Sequence, residues 1–229
     1  MNKLFFDYKI AIAILLDVFL FFILSILKNK KDKKTFTTQS VAGLGILSAM
    51  VIVLQILGNF ITFGTISINL AIFPIAVGAM LFGPLGGFLL GLLDGAIVLA
   101  APSTINVFLA ATPLATVMVC LTKTSIGGLL AGLAFRALNK RGYLKTAIMT
   151  ASIIVPLVNT ALFDVAALTV FKEVLFADKE VGEAFGVLMT ALIGVNFLLE
   201  LSLNVALAPT LFTSYRYIAN KVSNQKGYK

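Results

Sequence analysis

Apolar stretches separated by short polar or basic breaks fill most of this chain. The first runs from Ile10 to Leu27 and ends at a basic cluster, Lys28, Lys30, Lys31, Lys33 and Lys34. Six more follow, at about 38–57, 66–82, 85–101, 113–138, 146–171 and 184–212. Gly83-Pro84 closes the third stretch and Pro102 closes the fourth. A helix needs roughly 20 apolar residues to cross a bilayer, so the pattern predicts an all-α membrane protein with seven spans. The first stretch is expected to stay on the protein, because no small-x-small cleavage site follows it and more charge lies behind it than in front. Segment 103–113 is too short and too polar at its start to cross. It is expected to be an external loop or half-helix that forms a lid with the uncharged, glycine-bearing loop 58–67.

Composition agrees with this. Of 229 residues, 59% are hydrophobic and 12% charged, against about 45–50% and 25% in soluble domains. Soluble globular, disordered and fibrous classes are thereby excluded. The chain has no His and a single Cys, Cys120. A disulfide framework, a thiolate metal site and His-based catalysis are therefore not available to it. No Gly-x-x-x-x-Gly-Lys-Ser/Thr loop is present, so the chain cannot couple itself to ATP. No enzymatic activity and no cofactor are expected.

Charge gives the orientation. Segments 28–40, 135–146 and 213–229 hold 13 Lys or Arg, whereas 1–9 and 172–184 hold 4. The positive-inside rule then places the N-terminus outside and the C-terminus in the cytoplasm. The net charge of +8 is explained by this asymmetry, and no aromatic-basic interleaving points to nucleic acid. The run 28–34 reads as a topology anchor, with anionic lipid binding as its alternative.

Small residues recur at helical spacing. Gly87, Gly91 and Gly95 mark the fourth span, and Gly127/Ala131 and Gly128/Gly132 the fifth. Residues four apart share a helix face, and small ones let two backbones touch where lipid offers no hydrophobic drive. These two stripes are expected to pack against other helices of the same chain. Ala42, Gly45 and Ala49 form a third stripe on the second span, which is open between internal packing and docking onto another membrane protein.

Polar side chains inside spans are costly and mark function. Lys123 lies roughly 21 Å from the cytoplasmic end of its helix at 1.5 Å per residue, in the outer half. Asp94, Asn159, Asp164, Asn196 and Glu200 are also expected at or beyond the midplane, with Gln55 and Asn69 at the outer ends of their spans. Asn204 shares a face with Asn196 and Glu200. This clustering predicts an outward-facing pocket with Lys123 taking an anionic group, and Phe60 and Phe63 covering the ligand. An Asp94–Lys123 ion pair that only ties two helices together is the alternative. Asp17, on the first span, has no obvious partner and is read as a contact point or a snorkelling group.

Three stretches carry a family resemblance. They are Asn69-Leu-Ala-Ile-Phe-Pro-Ile-Ala-Val-Gly-Ala-Met-Leu-Phe-Gly-Pro-Leu-Gly-Gly-Phe-Leu-Leu-Gly-Leu-Leu-Asp94, Leu121-Thr-Lys-Thr-Ser-Ile-Gly-Gly-Leu-Leu-Ala-Gly-Leu-Ala-Phe135, and Pro156-Leu-Val-Asn159-Thr-Ala-Leu-Phe163. Over about residues 38–215 the chain resembles the substrate-binding S component of energy-coupling factor (ECF) vitamin transporters. The resemblance implies a six-helix bundle at 35–229, to which residues 1–34 add an extra helix and a basic linker. It implies capture of a vitamin or related micronutrient beneath the first external loop. It also implies docking through small residues of the first core helix onto a transmembrane coupling subunit driven by two ATPases. Ala42, Gly45 and Ala49 would be that docking stripe, although the family's usual Ala-x-x-x-Ala pair is here Gly45-x-x-x-Ala49. A self-sufficient secondary transporter for a small organic anion, and a structural membrane subunit, are the competing functions.

Overall fold

The computed structural model describes residues 38–63, 66–176, 186 and 197–226. The predicted helix at 10–27, Asp17, the basic run 28–34 and Asn196 lie outside the described residues, as does the side chain of Phe63. The elements are helix α1 (Thr38–Gly58), a two-residue hairpin of β1 (Thr62–Phe63) and β2 (Ile66–Ser67), and helix α2 (Ile72–Leu99). A π-helical turn (Thr104–Leu109), α3 (Pro113–Lys140), α4 (Leu144–Thr169), a short α5 (Lys172–Phe176) and α6 (Leu198–Lys226) follow. Among the described residues, four helices are long and apolar enough to cross a membrane, beginning at Ser40, Ile72, Pro113 and Leu144.

One of the four is not a straight rod. Gly83 takes φ 79°, ψ −169° and Pro84 follows it inside α2. Left-handed φ is costly for residues with a Cβ, and Pro removes a helical N–H, so the helix breaks here. The chain doubles back: a Cβ on Gly86 would meet the carbonyl of Gly78 at 3.0 Å, and one on Gly87 would meet Ala79 at 2.7 Å. Such contacts between residues eight apart are impossible along a continuous helix. The third and fourth predicted spans are therefore two antiparallel arms, 72–82 and 84–99, as the Gly-Pro signal indicated. The expectation that the third span begins at 66 is corrected. Residues 66–67 are strand, paired antiparallel with 62–63, and the first arm is only roughly 16 Å long at 1.5 Å per residue.

The second arm and α3 are held at backbone contact. A Cβ on Gly87 would strike the backbone of Gly128, one on Gly91 would lie 2.5 Å from Ser125 Cα, and one on Gly95 would strike Cys120. Gly132 faces Pro84 in the same way. The pairing steps back on one helix as it steps forward on the other, so the two run antiparallel. On the far side of α3, Gly127 packs against Val155 of α4. The expectation that these small residues pack within the chain holds.

By contrast, α1 is peripheral. Only 22% of its membrane-length window is buried, against 72% for α2. Leu47, Val51 and Gln55, four apart, face inward, and Gly43 faces Phe82. Val41, Ile46, Val53 and Leu57 are exposed.

Candidate functional site

One end of the bundle holds a cavity of about 70 Å³. The other end carries the α3–α4 turn with Arg136, Lys140, Arg141 and Lys145. The cavity is built from the last turn of α1, β2 and the chain after it, the end of the second α2 arm, the π-helical turn, α3, α4 and the first turn of α6. Gln55 enters from α1, and Ser67 and Asn69 from the chain leading into α2. Helix α3 presents Thr116, Cys120 and Lys123, spaced four and three so that they share a face. Helix α4 presents Asn159 and Phe163, again four apart. Glu200 closes the side formed by α6.

A network of buried acids and amides underlies this surface. The backbone N–H of Asn69 donates to Glu200 Oε1 at 3.0 Å. Its side-chain Nδ2 donates to Asp94 Oδ2 at 2.7 Å. Asn204, one turn along α6, donates to the Glu200 backbone carbonyl at 3.0 Å. Thr124 donates to Asn159 Oδ1 at 3.4 Å. Among the described residues, several oxygens have no hydrogen-bond partner, including Glu200 Oε2, Gln55 Oε1 and Asn69 Oδ1. Buried polar atoms of this kind are normally paired, so unpaired ones beside a cavity mark a place for a ligand.

Lys123 forms no salt bridge among the described residues. Its Nζ lies 5.8 Å from the centre of the Phe163 ring, a distance at which ring and cation attract. Asp94 and Glu200 are within Coulombic reach of it. The Asp94–Lys123 ion pair weighed from the sequence is thus replaced by an Asp94–Asn69 hydrogen bond.

The structure brings five of the expected residues together around the cavity: Gln55, Asn69, Lys123, Asn159 and Glu200. Asp94 is fully buried but stands behind Asn69 rather than on the lining. Asp164 is half-buried with Oδ1 unpaired, away from the lining. Phe60 is 81% exposed and does not line the cavity. Ala42, Gly45 and Ala49 are all exposed on α1, and a Cβ on Gly45 would meet nothing within 4 Å.

An aromatic wall was not anticipated from the sequence. Phe108 of the π-helical turn packs edge-on against Phe171 at 4.9 Å and Phe163 at 6.0 Å between ring centres, and all three line the cavity. The i, i+4 spacing that puts Phe163 on the face of Asn159 is the one sequence signal for it. Edge-to-face rings of this kind make a rigid apolar surface. The site therefore offers one cation, one acidic side chain, several amides and hydroxyls, and an apolar wall.

Comparison with curated proteins and with solved structures gives no match for the chain. The family profile described as ECF transporter, substrate-specific component matches residues 39–212, and the chain belongs to that family.

Proposed function

We propose that this protein captures a vitamin or related micronutrient from outside the cell and delivers it through a transmembrane coupling subunit driven by two ATP-binding subunits. The observation that carries the reading is the cavity lined by Lys123, Asn159 and Glu200 at the end of the bundle opposite the basic α3–α4 turn. With that turn in the cytoplasm by the positive-inside rule, the cavity opens outward. The chain then crosses seven times, with residues 1–34 as an extra helix and linker and 35–229 as a six-helix binding domain. Its N-terminus is outside and its C-terminus inside.

In this reading Lys123 takes an anionic group of the ligand. Gln55, Asn69, Asn159 and Asn196 supply polar contacts, and Phe60 and Phe63 belong to the loop that closes over the site. Asp94 acts from behind, through Asn69, and Asp164 contributes to the electrostatics of the outer half. The exposed stripe Ala42, Gly45 and Ala49 is the surface for the coupling subunit. Small side chains there let a partner helix approach closely. Partner ATP hydrolysis then reorients the loaded bundle.

The test is uptake in cells expressing this chain with and without the coupling subunit and both ATPases. Uptake of a labelled vitamin that needs all four chains supports the reading, as does their copurification in detergent. Uptake by this chain alone, driven by an ion gradient without ATP, would establish a secondary transporter instead.

A further inference from the structure

Glu200 is 2% exposed, lines the cavity, and among the described residues only one of its two carboxyl oxygens has a hydrogen-bond partner. Oε1 accepts the Asn69 backbone N–H. Oε2 has no hydrogen-bond partner among the described residues; the Asn159 amide lies near enough to interact with the same carboxyl. Holding Asn69 needs only one oxygen, and a second buried acceptor left unpaired costs stability. Local charge points the same way. Lys123 already lies within Coulombic reach of both Asp94 and Glu200. The one cation of the lining, Lys123, is therefore shared between these neighbouring carboxyl groups and any acidic group of a ligand.

We infer that Glu200 is the acceptor for a hydrogen-bond donor on the ligand, so the captured molecule carries an N–H or ammonium group as well as the acidic group held by Lys123. Such a ligand brings its own compensating donor. It fills the free position on Oε2 and leaves the Asn69 bond to Oε1 intact. The apolar remainder of the molecule lies against Phe108, Phe163 and Phe171. This inference rests on the capture function proposed above and specifies which chemistry the site selects.

The test uses the full chain, purified in detergent from cells grown in rich medium, with bound small molecules extracted and identified by mass spectrometry. The wild-type extract is expected to contain a compound bearing both an acidic group and an N–H or ammonium group. Glu200→Gln keeps the acceptor for Asn69 but turns the second oxygen into a donor. It should lower the bound compound by about ten-fold or more while elution volume and thermal stability stay unchanged. A Glu200→Gln protein that keeps wild-type occupancy, or a wild-type ligand with no N–H or ammonium group, overturns the inference and leaves the capture function standing. A wild-type protein with no bound small molecule overturns the capture function and the inference with it. Should the variant aggregate, the chemical identity of the wild-type ligand decides alone.

Discussion

Two stripes of small residues at nearly the same spacing have opposite environments. Gly87, Gly91 and Gly95 are pressed against the backbone of α3, where an added methyl has no room. Ala42, Gly45 and Ala49 lie on the open face of α1, where an added methyl at Gly45 meets nothing. Spacing shows that a helix can be approached closely; it does not show by what. What separates the two is the rest of the helix. The second arm of α2 is covered on several sides, whereas α1 shows the surroundings an exposed apolar face, Val41, Ile46 and Val53 included.

Gly91→Leu is the severest way to break that contrast. It would drive a branched side chain into the α3 backbone, costing about 3 kcal/mol or more, and should abolish the monodisperse peak in size-exclusion chromatography. Ala49→Trp on the open stripe should leave that peak and ligand occupancy intact but lower copurification of the coupling subunit by about ten-fold. Loss of folding in this variant would show that the stripe is covered within the chain. Lys123→Ala should give the reverse: ligand affinity falls by at least about ten-fold while partner copurification is unchanged. Gly83→Ala places a Cβ on the left-handed residue of the α2 reversal, beside Arg136. It should cost about 1–2 kcal/mol, read as a lower melting temperature. Gly45→Ala should leave stability unchanged or raise it by up to about 1 kcal/mol. A loss would mean that the space beside Gly45 is occupied.

Helix limits were largely legible because burying backbone in lipid demands long apolar runs. The segments expected at 38–57, 113–138 and 146–171 are observed at Thr38–Gly58, Pro113–Lys140 and Leu144–Thr169. The start of α2 was not legible. Apolar β-branched residues such as Ile66 and Ile68 look the same whether they extend a helix or form a hairpin. Depth along an axis was readable: Lys123, Asn159 and Glu200 were expected at or beyond the midplane, and they line one cavity. Direction around the axis separates residues that depth alone groups together. Asn159 and Asp164 are five residues apart, about 140° around a helix at 3.6 residues per turn, so both cannot face one cavity. Phe108 and Phe171 were not legible, because an apolar ring in a connecting segment or at a span end looks alike whether it faces lipid, core or ligand.

Asn69 is a latch between the hairpin and the acids below it. It sits two residues past β2 and grips Glu200 with its backbone and Asp94 with its side chain. Lifting this stretch of chain to admit a solute means letting go of two helices at once, at roughly 1.5–3 kcal/mol for each charge-assisted bond. Under the proposed capture function, a solute that engages Glu200 would touch the same carboxyl that fastens Asn69.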